Sequence, residues 1–286
     1  MLVVALLRPV DLRTEVDPLT GVVTRDARVA ALPASDAAAL EHALELANAW
    51  DARVLAISAG GPECDAALRE AVARGADVRR VDLREAYVDD LVRDEQHLAR
   101  ALVMAMGEQP DLVLCGDRSA DRGTGSLPAF LAHELGSVQA PGLVSLRLAD
   151  GELLGERRLD HGRRERIRIP LPAVCSVEAA GVRLRRASLQ AALVATEAAI
   201  EVVEVPVAAS RVRVLRTGPA RPRPRQLPAP TGSARERLLA LTGALLAHEP
   251  PTIVGPVDAP EAADALLDFL VRHGYLSESR TGWKPL

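Results

Sequence analysis

Residues 111–126 read DLVLCGDRSADRGTGS, a short apolar run followed by a polar, glycine-rich stretch. The apolar run predicts a buried strand that ends at Gly116, and the remainder predicts a loop that leads into a helix ending near Gly136. Open sheets of parallel strands bind ligands outside the carboxyl ends of the strands, and the amides of a helix N-terminus attract anions. The stretch therefore predicts a loop that binds a phosphate or a nucleotide, with a plain connecting loop as the alternative. Its glycine spacing matches neither the Walker A nor the GxGxxG motif.

The rest of the first 205 residues alternates apolar runs with amphipathic segments. Buried strands are predicted at 2–7, 54–58, 78–81 and 173–177, and helices at 35–50, 62–74, 89–106 and 189–199. Strands that alternate with helices in this way are typical of a doubly wound, mostly parallel, Rossmann-like α/β sheet with helices on both faces. Ser35 and Asp36 are predicted to cap the first helix.

Between about residues 143 and 169 the hydrophobic period changes to two, and Asp150-Gly151 marks a hairpin turn. This predicts an antiparallel insertion in the α/β domain. Arginines alternate with aliphatic residues in the stretch from Arg163 to Arg168. Half-buried strands with a charged outer face explain this alternation, and a surface for a protein partner is the alternative.

Residues 206–233 carry many prolines and arginines and no acidic residue. This composition predicts an extended tether. The chain is thus expected to consist of an α/β domain at 1–205, the tether at 206–233 and a helical unit at 234–286. Within that last unit, helices are predicted at 234–247 and 260–273 and a short strand at 252–254. Because so few elements bury little surface by themselves, the unit is expected to pack on a partner subunit.

The composition excludes several classes of function. A net charge of −4 gives no general attraction to nucleic acid. The one lysine, Lys284, lies near the end of the sequence, so P-loop and Schiff-base chemistry is not expected. No stretch approaches 18 consecutive apolar residues, which predicts a soluble, cytoplasmic chain without a membrane span.

The side chains that most often carry chemistry form no recognisable site. Cys64, Cys115 and Cys175 lie far apart and are expected to be buried free thiols. The histidines are spread out with no metal-ligand spacing, and those on predicted helices (His42, His97 and His133) are expected to be solvated. With no metal site and no arrangement of the Ser-His-Asp type, the sequence does not predict an enzyme.

Taken together, these segments resemble the beta subunit of electron transfer flavoproteins over residues 1 to about 205 and again over about 252 to 276. The segments that carry the resemblance lie at 4–11, 17–21, 36–44, 67–77, 110–116, 121–125 and 171–174. The resemblance implies an electron carrier rather than an enzyme, with the fold of the adenine nucleotide alpha hydrolases. It implies a heterodimer with an alpha subunit that supplies most of the FAD site, a dehydrogenase as electron donor and a quinone-linked or other acceptor.

The resemblance also implies roles for individual residues. A structural AMP would contact Ala5, Ser35, Asp36, Ser58, Ala59, Gly116, Asp121, Thr124 and Gly125. The segment 185–195 is similar to the loop with which the family docks dehydrogenases, so Leu189 and Arg185 are expected to dock a partner. A stand-alone module that binds or senses an adenine nucleotide is the alternative function.

The sequence departs from the family's pattern at three places. Pro33-Ala34 replaces the usual Asn-Pro, Ser126 replaces a glutamine, and residues 194–199 lack the lysines that usually follow the docking leucine. We interpret these departures as marks of a divergent bacterial subgroup with its own dehydrogenase partner. A link to a peptide-derived redox cofactor is one hypothesis for that partner.

Overall fold

The computed structural model describes residues 1–24, 26–83, 94–206, 229–242 and 253–276, together with positions 212, 215, 218 and 219. The chain divides into two compact units, Met1–Arg221 and Pro222–Leu286. The first five residues of the predicted helix at 89–106 and most of the predicted tether lie outside the described residues.

A nine-stranded sheet forms the centre of the first unit. Its strands are β1 (Leu2–Leu6), β2 (Arg53–Ala59), β3 (Asp77–Asp82), β4 (Leu112–Gly116), β5 (Val138–Ala149), β6 (Glu152–Arg158), β7 (Arg164–Ile169), β8 (Ala173–Val177) and β9 (Glu201–Glu204). They lie in the order β7-β6-β5-β8-β4-β1-β2-β3-β9. All neighbours from β5 to β9 in this order run parallel, and β6 pairs antiparallel with both β5 and β7. The predicted α/β fold class is confirmed.

Helices cover both faces of this sheet. They are α1 (Ala34–Trp50), α2 (Asp65–Val72), α3 (Glu95–Met106), α4 (Leu127–Leu135) and α5 (Leu189–Thr196). Successive side chains of a strand point to opposite faces, so β1 contributes Val3 and Ala5 to a core with α1. Its other residues, Leu2, Val4 and Leu6, enter a second core with α3 and α4. Burial on both faces explains why the central strands are almost continuously apolar.

The order of the strands places a crossover beside β1. From β1 the chain passes through α1 to β2 and through α2 to β3, each strand one place further out, and β4 then lies on the opposite side of β1. The direction of winding therefore reverses between β1 and β4. In open α/β sheets the crevice at such a point, outside the carboxyl ends of the strands, is where ligands bind.

The antiparallel strands extend the main sheet rather than forming a separate layer. The first half of β5 pairs parallel with β8, starting at Val138 opposite Ala173, and its second half pairs antiparallel with β6. The arginines of β7 form ion pairs with glutamates of β6: Arg164 and Arg166 both reach Glu156, at 2.8 and 3.2 Å. This pairing supports the interpretation of a charged outer face.

Some sequence-based expectations differ from the structure. Helix α1 starts at Ala34 with Pro33 as its N-cap, and no side chain caps it. Ser35 and Asp36, which were predicted to cap this helix, lie in its first turn instead. The Asp36 carboxylate accepts a hydrogen bond from the backbone N–H of Arg8. The short strand β9 was not predicted; its pattern, with only Val203 half-buried, carries no apolar run.

Two of the three helical histidines were wrongly expected to be solvated. His42 and His97 are buried, whereas His133 is exposed. His97 faces inward because its Nδ1 lies 2.6 Å from the carboxylate of Asp94, the N-cap residue of α3. All three cysteines are buried and unpaired, as the sequence predicted.

The second unit contains the helices α6 (Ala234–Thr242) and α7 (Ala259–Arg272), neither with a buried residue. Ile253 and Val254 lie in no strand, so the predicted strand at 252–254 is wrong for these two residues, and Thr252 lies outside the described ones. Among the described residues, no helix is both long enough and apolar enough to cross a membrane.

Candidate functional site

A cavity of about 360 Å³ lies at the crossover point of the sheet. The carboxyl ends of β1, β2 and β4 form one side of it, and residues 117–125 and the first turn of α4 form another. Its apolar lining comes mainly from Ile57, Leu98, Leu102, Cys115 and Leu127. The volume falls in the range of small-molecule sites, roughly 300–1,000 Å³.

Asp36 contributes a buried carboxyl group to the lining of this cavity. Only 7% of the residue is exposed, and its Oδ2 accepts a hydrogen bond of 2.8 Å from the backbone N–H of Arg8, just past the end of β1. Burial raises the pKa of Asp36 to about 7, against the opposing effects of the Arg8 N–H and charge and of the Gly116 N–H. One carboxyl group thus links α1 to the carboxyl ends of both β1 and β4.

Arg8 also connects the end of β1 with the loop after β4. Its Nη2 donates a hydrogen bond of 3.0 Å to Oδ2 of Asp121, whose side chain is almost fully buried. The hydroxyl of Ser119 donates to the other oxygen of Asp121. These contacts give the loop a defined conformation along the edge of the cavity.

Two positions in this region require glycine for reasons of space. A Cβ atom on Gly116 would lie 2.3 Å from Oδ1 of Asp36 and 2.6 Å from the Ser35 hydroxyl. A Cβ atom on Gly125 would lie 2.8 Å from the backbone oxygen of Asp117. Glycine at both positions lets the loop fold back on itself directly before α4. This explains why a glycine-rich sequence follows β4.

The charges around the cavity are mixed. The acidic lining residues (Asp11, Asp26, Asp36, Glu63, Glu95, Asp117 and Asp121) outnumber the arginines (Arg8, Arg118 and Arg122). The N-cap residue of α4, Ser126, caps the helix with no side-chain hydrogen bond, because its hydroxyl donates to Glu95 instead. An anion in this cavity would therefore depend on the amides at the start of α4 and on the arginines, and not on a generally positive surface.

The thiols near the cavity are not suited to nucleophilic chemistry. Burial raises the pKa of Cys64 to about 11 and also raises the pKa of Cys115. Both side chains are therefore neutral at physiological pH, and a neutral thiol is a poor nucleophile. In the part of the chain that the structure describes, no group of three or more His, Cys, Asp or Glu residues could hold a metal ion.

The structure brings most of the residues expected at the nucleotide site together. Of the nine predicted residues, six line the cavity: Asp36, Ala59, Gly116, Asp121, Thr124 and Gly125. Ala5 and Ser58 do not line it, because both are buried within their strands. Ser35 is not part of the lining either, although its hydroxyl lies beside Gly116.

Sequence reasoning did not identify most of the charged residues of the lining, among them Arg8, Glu95 and Asp117. The position of Arg8 directly after the first predicted strand was a signal that could have identified it, because ligands bind outside the carboxyl ends of parallel strands. Glu95 reaches the cavity from α3, and nothing in the local sequence indicates this long-range approach.

The two residues expected to dock a partner lie away from this cavity. Leu189 is the first residue of α5, and 77% of it is exposed. The guanidinium of Arg185 contacts Glu41 of α1, with Nη2 at 2.7 Å from Oε1. Neither residue lines the cavity.

We expect Asp36→Asn to change how stability depends on pH. A carboxyl group whose pKa is raised on folding stabilises the folded state at low pH, and this contribution is lost as the pH rises from about 4 to about 7. At about 1.4 kcal/mol per pKa unit, the free energy of unfolding of the wild type should fall by roughly 3–4 kcal/mol relative to Asp36→Asn over this interval. Denaturant unfolding of both proteins at pH 4 and pH 7.5 measures the difference. Parallel pH profiles would contradict the assignment.

The comparison with known proteins agrees with this geometry. Residues 20–210, which include the loop after β4, match the family described as the electron transfer flavoprotein domain. A relative from Mycobacterium tuberculosis named electron transfer flavoprotein subunit beta is 32% identical over 160 residues, 54% of this chain and 59% of that protein. The match thus spans somewhat more than half the length of this relative.

Other relatives carry similar names. A protein from Chromohalobacter salexigens, also named electron transfer flavoprotein subunit beta, is 30% identical over 264 residues, 88% of this chain and 89% of the relative. A protein from Anaerotignum propionicum named acryloyl-CoA reductase electron transfer subunit gamma is 26% identical over 143 residues, 50% of this chain and 54% of the relative. These names agree with the expectation of an electron carrier rather than an enzyme. The resemblance seen in the sequence is confirmed, and the chain belongs to the electron transfer flavoprotein domain family.

Proposed function

We propose that this chain is the beta-type subunit of a cytoplasmic electron transfer flavoprotein. In this proposal it forms a heterodimer with an FAD-holding alpha subunit, accepts electrons from a dehydrogenase and passes them to a quinone-linked or other acceptor. The observation that carries the proposal is the family match over residues 20–210, which includes β2, β4 and the loop after β4 at the crossover cavity. The names of the relatives, each of which describes a subunit, support the proposal.

The flavin, when bound, would supply the redox chemistry. The described residues of this chain form the crossover cavity without help from a partner. We therefore propose that this cavity holds the structural nucleotide, and that the flavin lies where this chain provides one wall and the alpha subunit provides the remainder. The roles of this chain are then to bind a nucleotide, to shape the flavin site and to dock the electron donor.

The donor groups of the cavity fit AMP. Apolar side chains of β2, α3 and α4 offer a surface for the adenine ring, and Thr124, Gly125 and the first turn of α4 line the cavity where helix N-terminal amides would face a phosphate. Residues Thr124, Gly125 and Arg8 would hold the phosphate, and Asp36 would hold the strand ends in place beneath the nucleotide. Ser126 has a shorter side chain than the family's glutamine at this position. The arginines of the loop supply positive charge nearby.

A second feature supports the proposed assembly. Helix α7 of the second unit presents exposed apolar side chains, among them Leu266, Leu267 and Phe269. A helix that keeps such residues in contact with water gains stability when a partner covers them. We propose that the unit at 234–286 packs on the alpha subunit.

We expect Arg8→Gln to weaken nucleotide binding. The substitution removes a positive charge from the cavity and leaves the Asp121 carboxylate beside the phosphate without this ion pair, so affinity for AMP should fall roughly tenfold. The exposed Arg13, five residues further on, serves as the matched control as Arg13→Gln. Calorimetric titration of nucleotide-free protein with AMP measures both. Equal affinities for the two variants would exclude the assigned role of Arg8.

Co-expression with the alpha-type subunit of the same organism tests the proposed function itself. We expect the two chains to purify together as a yellow complex that releases FAD and AMP on denaturation. A colourless chain that purifies alone in the presence of that subunit would refute the proposal. If this lone chain bound AMP or ATP, it would instead support a stand-alone module that binds or senses a nucleotide.

A further inference from the structure

The segment that precedes α5 is attached to the body of the α/β unit through Val182 and Leu184, which pack against the core, and through the hydrogen bonds of Arg185. Glu41 of α1 accepts the Arg185 backbone N–H at 2.8 Å, and it also accepts hydrogen bonds from Nε at 2.9 Å and from Nη2 at 2.7 Å. From the other side, Nε of Arg74, just past the end of α2, donates to the Arg185 backbone oxygen at 2.8 Å. The main chain of Arg185 is therefore held by both Glu41 and Arg74, and its side chain is held by Glu41.

The side chain of Glu41 is directed at Arg185. Its side chain is only 8% exposed, and both of its oxygens bond to Arg185. Burial alone would raise the pKa of Glu41, but the hydrogen bonds and the charge of Arg185 hold it below its usual value. A carboxylate removed from water in this way depends on its partner, because breaking the pair leaves a desolvated charge behind.

Helix α5 begins four residues after Arg185. Ser188 caps it by accepting the N–H of Ala191, and Ala195 anchors its far end in the protein. Between these points the helix exposes Leu189, Leu193 and Val194 to solvent. The exposed apolar side chains thus lie on a short helix that packs against α2 and that follows directly after the anchored segment.

We propose that Glu41 and Arg74 position α5 by gripping Arg185, so that Arg185 is the internal anchor of the docking helix and not a residue that contacts the partner. The role is one of preorganisation: a docking helix that is already oriented loses less conformational entropy when a partner binds. The inference rests on the proposed function only where it treats α5 as a docking helix. The anchoring itself concerns contacts within this chain.

The neighbouring arginine provides a matched control. Arg186 lies next to Arg185 in the same exposed segment and carries the same charge, but no hydrogen bond or ion pair joins it to the described residues. On α1, Glu45 lies one turn after Glu41 with its side chain more than half exposed, and it acts on Arg185 through its charge but not through a hydrogen bond. Arg185→Gln and Arg186→Gln each remove one positive charge, but only Arg185→Gln removes the anchor. Glu41→Gln and Glu45→Gln each remove one negative charge, and only Glu41→Gln removes the anchor.

Hydrogen exchange of the full chain tests the anchor directly. In Arg185→Gln and Glu41→Gln, we expect the amides of residues 189–196 to exchange at least about tenfold faster than in the wild type, while those of β1 keep their rates. Both control variants should match the wild type. Arg185→Lys keeps one cationic donor and should restore part of the protection.

A functional readout separates positioning from direct contact. In the reconstituted heterodimer, with a dehydrogenase that reduces the wild-type complex, both anchor variants should raise the KM for that dehydrogenase and leave kcat and flavin content unchanged. If Arg185 touched the partner directly, Arg185→Gln would raise KM while Glu41→Gln would not, and the anchor would be excluded. Unchanged exchange in both variants, or equal acceleration in α5 and β1, would also overturn it.

If no flavin complex forms with the alpha subunit, the proposed function fails, but the exchange experiment still decides whether the anchor exists.

Discussion

The Asp36 carboxylate, buried in the first turn of α1, accepts the backbone N–H of Arg8 and faces the N–H of Gly116. These contacts join three elements that are distant in sequence: the first helix, the end of β1 and the end of β4. Because the winding of the sheet reverses between β1 and β4, this is also the place where the chain leaves a crevice. The position of the loop at 117–125, and therefore the shape of the cavity, depends on this link.

The same arrangement accommodates the positions at which this sequence departs from the family's pattern. The family's asparagine and glutamine are replaced by Pro33-Ala34 and Ser126, yet the cavity keeps its glycines, its apolar side and its loop. A site that binds largely through backbone groups tolerates changes in side chains better than changes in backbone geometry. The requirement for glycine at Gly116 and Gly125 is accordingly steric, since a Cβ atom at either position meets an atom closer than 3 Å.

Local sequence patterns were sufficient to predict the alternation of strands and helices and the position of the loop after β4. Long-range contacts were not predictable from these patterns. Asp36 was expected to cap its own helix, and it bonds instead to a strand end 28 residues away in sequence. Likewise Arg185 was expected to dock a partner and Glu95 was not identified, because the residues that they contact, Glu41 and Ser126, are brought near only by the tertiary fold. Of the nine residues that the resemblance assigned to the nucleotide, six line the cavity, and the geometry shows how Asp36 and Asp121 are held.

The proposed subunit thus has two separate functional regions. One is a nucleotide cavity at the crossover point, and the other is a docking helix held by Arg185. The claim on which this division rests is that the crossover cavity is the nucleotide site of an electron carrier subunit. A crystal structure of the complex purified with its alpha subunit tests that claim most directly. We predict density for a nucleotide between the carboxyl ends of β1 and β4, next to the loop at 117–125, with the flavin outside this cavity. A flavin-containing complex whose crossover cavity holds no nucleotide, or is filled by side chains of the partner, would contradict the claim.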